Sequence, residues 1–267
     1  MPASDLLHQL EAVMHEAGAL ARVTAARTFK HWTKGQDRSP VSEADIAVND
    51  LLREKLSRLV PDAGWVSEET AADPAARAVA RVWIVDPIDG TRAFIAGRPD
   101  WTISVALVAD GRPILAALYA PVTEEMFLAE HGAGATVNNT PMKPSAGGDL
   151  TGAKVAGPKR YLDRLAKVTP SILPQPKVHS LALRLTRVGA GTLDVAFSSG
   201  GSHDWDLAAA DLLVHEAGGL LTDFAGRPLR FNQAGGADGV HGALVAAGPA
   251  RHGTLLELVR DRMPEFA

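Results

Sequence analysis

Two aspartates, Asp86 and Asp89, stand close together in the stretch WIVDPIDGTRAF, directly after a run of apolar residues. The apolar run is typical of a buried strand, and the pairs Asp-Pro and Asp-Gly favour a tight turn that would point both carboxylates at one place. Gly90 would let the backbone approach a ligand closely, because glycine has no side chain. The same dipeptides are frequent in turns without any function. The pattern therefore indicates either an ordinary turn or a site built from two carboxylates.

Three further acids favour the second interpretation. Glu68 and Glu69 follow another predicted strand in GWVSEET, and Asp206 stands near the start of the predicted helix WDLAAADLLVHEAGG. Carboxylates that meet in a fold repel one another unless protons or a cation neutralise them. Oxygen ligands select Mg²⁺, Mn²⁺ or Ca²⁺, and the chain has no cysteine that could form a thiolate site. Because Mg²⁺ usually keeps part of its shell for waters and phosphate oxygens, the acids predict a phosphate ester as the substrate.

Thr91 gives the same stretch a second chemical role. If Thr91 begins a short helix, the backbone N–H groups of Gly90 and Thr91 point outward, where the helix dipole favours an anion such as phosphate. The attacking water also needs a base, because Mg²⁺ acidifies water less than zinc does. The Thr91 hydroxyl and a nearby carboxylate can relay that proton, and Asp45 is the candidate partner.

The elements that must position these residues indicate an α/β fold with much antiparallel pairing. Apolar positions at helical spacing predict helices over residues 3–28 and 43–59, the second capped by Ser42. The stretch WTISVALVADGRPILAALYAPVTEEMFLAEHGAGATVNN predicts three or four strands of an antiparallel meander. In the second half LDVAFSS predicts a strand, and the helix that starts near Asp206 is expected to stop at Gly218 and Gly219.

A stretch near residue 146 that contains glycine and proline predicts a boundary between two tightly packed subdomains. Residues 1–145 would form an N-terminal α/β subdomain that carries the metal-binding turn. Residues 146–267 would form a C-terminal α/β subdomain that closes the active site.

Composition and charge exclude several classes of protein. The 267 residues carry a formal net charge of −4, which offers no basic surface for a polymeric nucleic acid. No apolar run approaches the roughly 20 residues needed to span a bilayer. The N-terminal stretch mixes acids and histidines with apolar residues, unlike a signal peptide, so we expect a cytoplasmic protein without a membrane partner. The chain also lacks the G-x-x-x-x-G-K-[ST] loop that a nucleotide-dependent phosphotransferase would need.

The motifs SPVSEAD, SEET, WIVDPIDGTRAF and WDLAAADLLVHEAGG resemble, in this order, those of the inositol monophosphatase family. The resemblance covers most of the chain. It implies a layered αβαβα sandwich of the sugar-phosphatase type, with two tightly packed subdomains and mixed or antiparallel sheets. It also implies hydrolysis of small phosphate monoesters by a metal-activated water, with two or three Mg²⁺ ions that Mn²⁺ can replace. Inhibition by Li⁺ and a homodimer are further expectations from the family.

The resemblance assigns roles to individual residues. Thr91 and Asp45 resemble the pair that activates the water, with Glu69 as a supporting catalytic acid. Gly90 and Thr91 resemble the amides that bind phosphate. Lys34 stands in a loop that, in the family, closes near a third and weaker metal position. The positions that resemble the metal ligands of the family are Glu68, Asp86, the carbonyl oxygen of Ile88, Asp89 and Asp206, of which Asp86 would bridge two ions.

The substrate is less closely defined. Ser199 stands where inositol phosphatases of the family carry an acid that contacts an inositol hydroxyl, and Ser180 and Ala182 stand where those enzymes touch the sugar. His203 is either a substrate contact or a solvated surface residue. We expect a substrate of the inositol 1-phosphate type, with two alternatives in the family: a 3'(2'),5'-bisphosphate nucleotidase acting on 3'-phosphoadenosine 5'-phosphate, and a histidinol-phosphate phosphatase. The alternative outside enzymes is a metal-binding regulatory protein.

Overall fold

The structure is a computed structural model that describes residues 3–34, 39–70, 73, 75, 78–233 and 239–263. The chain begins with helix α1 (Ala3–Ala25), a hairpin of β1 (His31–Lys34) and β2 (Ser39–Ser42), and helix α2 (Glu43–Leu59). Both helices agree with the prediction, although α1 ends before residue 28. The side chain of Ser42 caps α2 by accepting from the backbone N–H of Ala44. The other described helices are α3 (Thr91–Ile95), α4 (Lys159–Val168), α5 (Leu181–Gly189), α6 (Asp204–Glu216) and α7 (Pro249–Arg262).

A seven-stranded sheet forms the centre of the first half. Its first two strands are parallel to each other and the remaining neighbours are antiparallel, so the sheet is mixed. The predicted meander is present: the stretch over residues 101–139 forms four antiparallel strands, and a short fifth strand follows directly after it. In spatial order the strands are β3 (Gly64–Ser67), β4 (Arg81–Asp89), β5 (Thr102–Ala109), β6 (Arg112–Ala120), β7 (Glu125–Glu130), β8 (Gly134–Val137) and β9 (Thr140–Pro141).

A smaller sheet forms the second half. Its five strands lie in the order β11 (Leu173–Pro174), β10 (Lys154–Ala156), β12 (Val195–Ser198), β16 (Leu244–Ala247) and β14 (Leu220–Asp223). Two short strands, β13 (Ser202–His203) and β15 (Val240–His241), pair with each other beside this sheet.

Helices cover both sheets in layers. The apolar faces of α1 and α2 pack on one face of the large sheet, in a cluster that includes Leu10, Leu52 and Trp83. Helices α5 and α6 lie between the two sheets, whereas α4 and α7 pack on the outer face of the small sheet. Because α6 lies between two sheets, it is buried along most of its length, which explains its almost continuous apolar sequence. The layers follow the predicted αβαβα order, and the fold class is confirmed.

The two sheets draw their strands from opposite sides of residue 146, while α5 and α6, from the second half, pack on the sheet of the first. The division into subdomains at residues 145 and 146 is still a prediction. Among the helices that the structure describes, none combines the length and the hydropathy needed to cross a membrane.

Candidate metal centre

Strand β4 brings Asp86 and Asp89 to one end of the large sheet. The strand continues to Asp89, whereas the sequence predicted a turn directly after the apolar run. The pairing of β4 with β5 shifts register between Asp86 and Asp89, and this irregularity takes the place of the predicted turn. The backbone N–H of Ile88 donates to Oδ1 of Asp86 at 3.0 Å and so orients that carboxylate. Gly90 follows with a φ of 97°, a left-handed conformation that glycine adopts without strain.

Three carboxylates meet at this point. Asp206, in the first turn of α6, joins Asp86 and Asp89, and one oxygen atom from each lies within 4.8 Å of the others. We call these three residues the acid corner. Asp86 and Asp89 are buried and Asp206 is partly buried. A set of hard oxygen donors at this spacing fits Mg²⁺ or Mn²⁺.

Burial and mutual repulsion favour the protonated forms of these acids. Burial raises the pKa of Asp206 to about 8, and the charge of Asp89 adds to the shift. Burial also raises the pKa of Asp89 to about 6, although hydrogen bonds from Ser180 and α5 oppose this. The pKa of Asp86 lies well above its usual value because of burial and of the charges on Glu68 and Asp89. A bound cation would remove the repulsion, so the acid corner favours cation binding near neutral pH.

The start of helix α5 holds Asp89 in place. Oγ of Ser180 donates to Oδ2 of Asp89 at 2.6 Å. The backbone N–H of Ala182 donates to the same oxygen at 2.7 Å, and that of Leu181 donates to Oδ1 at 3.1 Å. Both Ser180 and Ala182 are buried, so the structure brings these predicted substrate contacts against a carboxylate of the acid corner. Their contact with a substrate is untested.

The other two predicted substrate contacts lie in the segment before α6. The backbone N–H of His203 donates to Oδ2 of Asp206 at 2.6 Å. The imidazole of His203 stacks on the indole of Trp205, with ring centroids 4.4 Å apart and an interplanar angle of 7°. Ser199 is partly buried just after β12, and its backbone oxygen accepts a hydrogen bond from the Ser198 hydroxyl at 3.0 Å. His203 therefore adjoins the acid corner, and contact of either residue with a substrate is a prediction.

The predicted catalytic pair is in contact. Oγ1 of Thr91 lies 3.1 Å from Oδ1 of Asp45 and 3.0 Å from the carbonyl oxygen of Ile88, so either oxygen can accept its hydrogen bond, and the carboxylate of Asp45 can also take its proton. Oδ2 of Asp45 accepts from the backbone N–H and the hydroxyl of Ser42 at 2.8 and 2.6 Å. Burial raises the pKa of Asp45 to about 6, although the hydrogen bonds from Ser42 oppose the shift. The fold thus joins a hydroxyl to a carboxylate 46 residues away in the chain.

The two glutamates after β3 share one lysine. Nζ of Lys34, at the end of β1, donates to Oε1 of Glu69 at 2.6 Å and to Oε1 of Glu68 at 3.1 Å. Burial raises the pKa of Glu69 to about 7, although Lys34 opposes the shift. Glu68 does not belong to the group of three carboxylates that meet within 4.8 Å. Its role as a ligand, and the supporting role of Glu69, are predictions.

Arg184 is a residue near the site that the sequence analysis missed. Its Nη1 donates to the backbone oxygen of Val178 at 3.0 Å, and its Nε is buried without a hydrogen-bond partner among the described residues. Burial lowers the pKa of Arg184 while the charge of Asp89 opposes this, so the two groups are within electrostatic reach. The available signal was a basic residue in the apolar run LALRL, one helical turn after Ser180.

This chain is similar to known proteins in both sequence and structure. A model described as inositol monophosphatase family matches residues 3–263. A fructose-1,6-bisphosphatase/inositol-1-monophosphatase of Thermotoga maritima is 34% identical over 221 residues, covering 80% of this chain and 83% of that protein. A histidinol-phosphatase of Chlorobaculum parvum is 34% identical over 231 residues, covering 84% of this chain and 87% of that protein. Among solved structures, the extragenic suppressor protein suhB from Bartonella henselae has a TM-score of 0.83 at 26% identity, covering 96% of this chain and 99% of that one.

Proposed function

We propose that this chain, which belongs to the inositol monophosphatase family, binds Mg²⁺ at the acid corner in order to hydrolyse a small phosphate monoester. The chain is a phosphoric monoester hydrolase of that family, so the alternative of a non-enzymatic regulatory protein is not retained. One observation carries the metal-dependent part of the proposal. Oxygen atoms of Asp86, Asp89 and Asp206 lie within 4.8 Å of one another, in surroundings that raise the pKa of each.

The groups that would hold the ions all offer oxygen. Hard cations prefer such donors, and Mn²⁺ can replace Mg²⁺ in them. When bound, divalent ions would stabilise charge on the phosphoryl and leaving-group oxygens and acidify water. The proposed ligands are Glu68, Asp86, the carbonyl oxygen of Ile88, Asp89 and Asp206. Two or three ions, inhibition by Li⁺, a homodimer and a cytoplasmic location belong to the same proposal, and they rest on the family resemblance.

Thr91 and Asp45 would handle the proton of the attacking water. The hydroxyl of Thr91 can pass its own proton to Oδ1 of Asp45 at 3.1 Å while it accepts another from the water. The pKa of Asp45, which burial raises to about 6, makes this carboxylate a better proton acceptor than an exposed aspartate. The hydrogen bonds from Ser42 hold Asp45 in the orientation that this transfer requires.

The phosphate group would lie against the start of α3. Gly90 and Thr91 open this short helix, and their backbone N–H groups would donate to phosphoryl oxygens. A Cβ at Gly90 would lie 3.1 Å from the backbone nitrogen of Ser180 and would crowd the start of α5. His203, whose backbone N–H donates to Asp206, is a further proposed substrate contact.

The proposed substrate is of the inositol 1-phosphate type, with one specific alternative. The hydroxyl of Ser199 can form a hydrogen bond with a sugar hydroxyl, but it lacks the charge of a carboxylate. The enzyme would therefore bind a polyol less strongly than family members that carry an acid at this position. The guanidinium of Arg184, which is partly buried and lies within electrostatic reach of Asp89, would favour a substrate with a second anionic group. This observation supports a 3'(2'),5'-bisphosphate nucleotidase that acts on 3'-phosphoadenosine 5'-phosphate. Histidinol phosphate is a further candidate, in view of the similarity to a histidinol-phosphatase.

The test is phosphate release by the purified protein from inositol 1-phosphate, 3'-phosphoadenosine 5'-phosphate, histidinol phosphate and fructose 1,6-bisphosphate. Each substrate is assayed with Mg²⁺, with Mn²⁺ and with EDTA. We expect turnover with either ion and none with EDTA. An Arg184→Met variant should lose turnover of the bisphosphate nucleotide selectively if that compound is the substrate. Equal turnover with EDTA and with Mg²⁺ would contradict the metal-dependent route.

A further inference from the structure

Helix α6 begins with a buried acid that lies outside the acid corner. Asp204 is the first residue of the helix, and only 1% of it is exposed. Nε2 of His241, 37 residues away in the chain, donates to Oδ1 of Asp204 at 2.8 Å. The backbone N–H of Asn232, 28 residues away, donates to Oδ2 at 3.0 Å. The carboxylate of Asp204 therefore fastens two points of the connection between β14 and β16 to the start of α6.

The close approach of this connection to Asp204 requires glycine at position 239. Gly239 has a φ of 65°, and a Cβ there would lie 2.6 Å from Oδ2 of Asp204. Directly after Gly239, β15 pairs with β13, the strand that leads into α6. The side-chain contacts and the strand pairing thus act on the same short piece of chain. We call this group the Asp204 clamp, and it consists of Asp204, Asn232, Gly239 and His241.

The Asp204 clamp holds the helical turn that supplies Asp206 to the acid corner. Asp206 lies two residues after Asp204, and its Oδ2 accepts a hydrogen bond from the backbone N–H of His203 at 2.6 Å. The first turn of a helix frays easily, because its N–H groups have no partners inside the helix. Without a cation, the charge of Asp89 also repels Asp206. Contacts that fix this turn therefore keep the carboxylate of Asp206 in place against that repulsion.

The second half of α6 carries another pair of an acid and a histidine, which provides a comparison. Nδ1 of His215 lies 3.3 Å from Oδ1 of Asp211, and only 4% of the Asp211 side chain is exposed. Both residues belong to α6 and are one helical turn apart, so their contact fixes no other segment. The pair of Asp204 and His241, by contrast, joins the turn of Asp206 to a different part of the fold.

We propose that Asp204 and His241 are positioning residues, which hold the first turn of α6 so that Asp206 keeps the place it needs for ion binding. This inference rests on the proposed Mg²⁺-dependent function. Neither residue has to touch the ion or the substrate, because each acts through the position of Asp206. Groups that orient metal ligands in this way change metal affinity or activity by about tenfold to a hundredfold when they are lost.

The main test compares Mg²⁺ binding by the unchanged protein and by Asp204→Ala, measured by titration calorimetry. Asp204→Ala removes both contacts and should weaken Mg²⁺ binding by about tenfold to a hundredfold. A second measurement needs no metal. Because the backbone N–H of His203 donates to Asp206, its hydrogen exchange in EDTA should be faster in the variant than in the unchanged protein. The unfolding temperature of each variant in EDTA shows that it is folded.

His241 offers two variants that differ in one hydrogen bond. His241→Phe keeps a ring beside Phe231 but cannot donate to Asp204, so Mg²⁺ binding should weaken by about tenfold. His241→Gln brings an amide N–H close to the position of Nε2 and should restore most of the affinity. Both variants leave Asp204 in place, so they test the inference even if Asp204→Ala does not fold.

Asp211→Ala is the control for the loss of a buried acid from α6. It removes the contact with His215 but leaves the Asp204 clamp intact. Whatever its effect on the unfolding temperature, this variant should bind Mg²⁺ like the unchanged protein.

The outcomes separate this inference from the proposed function. Unchanged Mg²⁺ binding by Asp204→Ala and His241→Phe, in a protein that itself binds Mg²⁺, would overturn the positioning role and leave the proposed function intact. An equal loss of affinity in Asp211→Ala would also overturn it, because any buried acid of α6 would then have the same effect. Failure of the unchanged protein to bind Mg²⁺ or Mn²⁺ would overturn both. Weaker binding in Asp204→Ala and His241→Phe, with recovery in His241→Gln and no change in Asp211→Ala, is the result that supports the inference.

Discussion

Two clusters of charged side chains in this molecule differ in how their charges are balanced. The first, which we call the Arg251 cluster, consists of Arg251, Asp194 and Ser145. Arg251 is buried; its Nη1 lies 3.4 Å from Oδ1 of Asp194 and donates to Oγ of Ser145 at 3.1 Å. Ser145 also donates to Asp194, and the backbone N–H of Lys154 donates to Oδ2 of Asp194 at 2.7 Å. Each charged group in this cluster has a partner supplied by the chain.

In the acid corner, by contrast, the negative charges are not balanced within the cluster. Its three carboxylates face one another, and burial raises the pKa of Asp89 to about 6 and that of Asp206 to about 8. The Arg251 cluster is complete without a ligand and fastens α7 to the segment before β10. The acid corner is complete only with protons or a cation. The comparison teaches that an acid paired with a cation of the chain needs no ligand, whereas buried acids that face one another indicate a binding function.

The substitution Asp86→Asn should show most clearly that the acid corner serves activity and not stability. Turnover should fall at least a thousandfold, about 4 kcal/mol in activation free energy, because a ligand shared between ions is lost. The metal-free variant should nevertheless unfold at the same or a higher temperature, since a neutral amide removes repulsion from the acid corner. Phosphate release with Mg²⁺ and thermal unfolding in EDTA measure the two effects. Near-normal turnover would refute the assignment of Asp86.

Thr91→Val should lower turnover by roughly a hundredfold, or about 3 kcal/mol, while Mg²⁺ affinity stays the same. The variant removes the hydroxyl that contacts Asp45 but leaves all carboxylates of the acid corner in place. Thr91→Ser is the matched control, because it keeps the hydroxyl and should retain most of the activity. Equal losses in the valine and serine variants would show that shape, and not the hydroxyl, matters at this position.

Arg251→Met should have the opposite effect: it should lower the stability of the protein and leave its turnover unchanged. It leaves the carboxylate of Asp194 without its cation, and breaking a partly buried ion pair of this kind costs roughly 2–4 kcal/mol of unfolding free energy. The corresponding fall in melting temperature is about 5–10 °C for a chain of this size. Turnover per folded molecule should not change, because the Arg251 cluster holds no group of the proposed site. A loss of turnover without a loss of stability would contradict the division between the two clusters.

The acid corner should also make the stability of the metal-free protein depend on pH. Because the pKa of Asp89 is raised to about 6 and that of Asp206 to about 8, the folded state binds more protons than the unfolded state over this range. Their contribution is therefore complete at low pH, below their unfolded pKa values, and is lost as pH rises through 6 and then 8. In EDTA the melting temperature should fall by several degrees between about pH 5 and pH 8.5.

Two measurements sharpen this last prediction. Saturating Mg²⁺ should remove most of the fall, because the ion takes over the role of the protons. Asp206→Asn should flatten the upper part of the profile, since the group with a pKa of about 8 is then absent. A melting temperature that rises with pH in EDTA would show that other groups outweigh the acid corner.

Local sequence patterns predicted the elements of the fold well. The helix over 43–59, its cap at Ser42 and the meander after residue 100 follow from interactions between residues a few positions apart. The prediction of a tight turn at Asp86 and Asp89 was wrong, because β4 continues to Asp89 and its pairing with β5 shifts register there. Pairing with another strand decides that register, and the residues of β4 alone do not contain it.

The sequence by itself determined which chemical groups are available: the acids, the hydroxyl of Thr91 and the glycine that follows Asp89. Only the tertiary structure decided what these groups contact. Ser180 reaches Asp89 across 91 residues, and Lys34 reaches Glu68 across 34. Helix capping and strand alternation act over a few residues and can be read from a sequence. Contacts between layers depend on how complete helices and sheets pack, and this packing places the donors of α5 and β1 on the carboxylates.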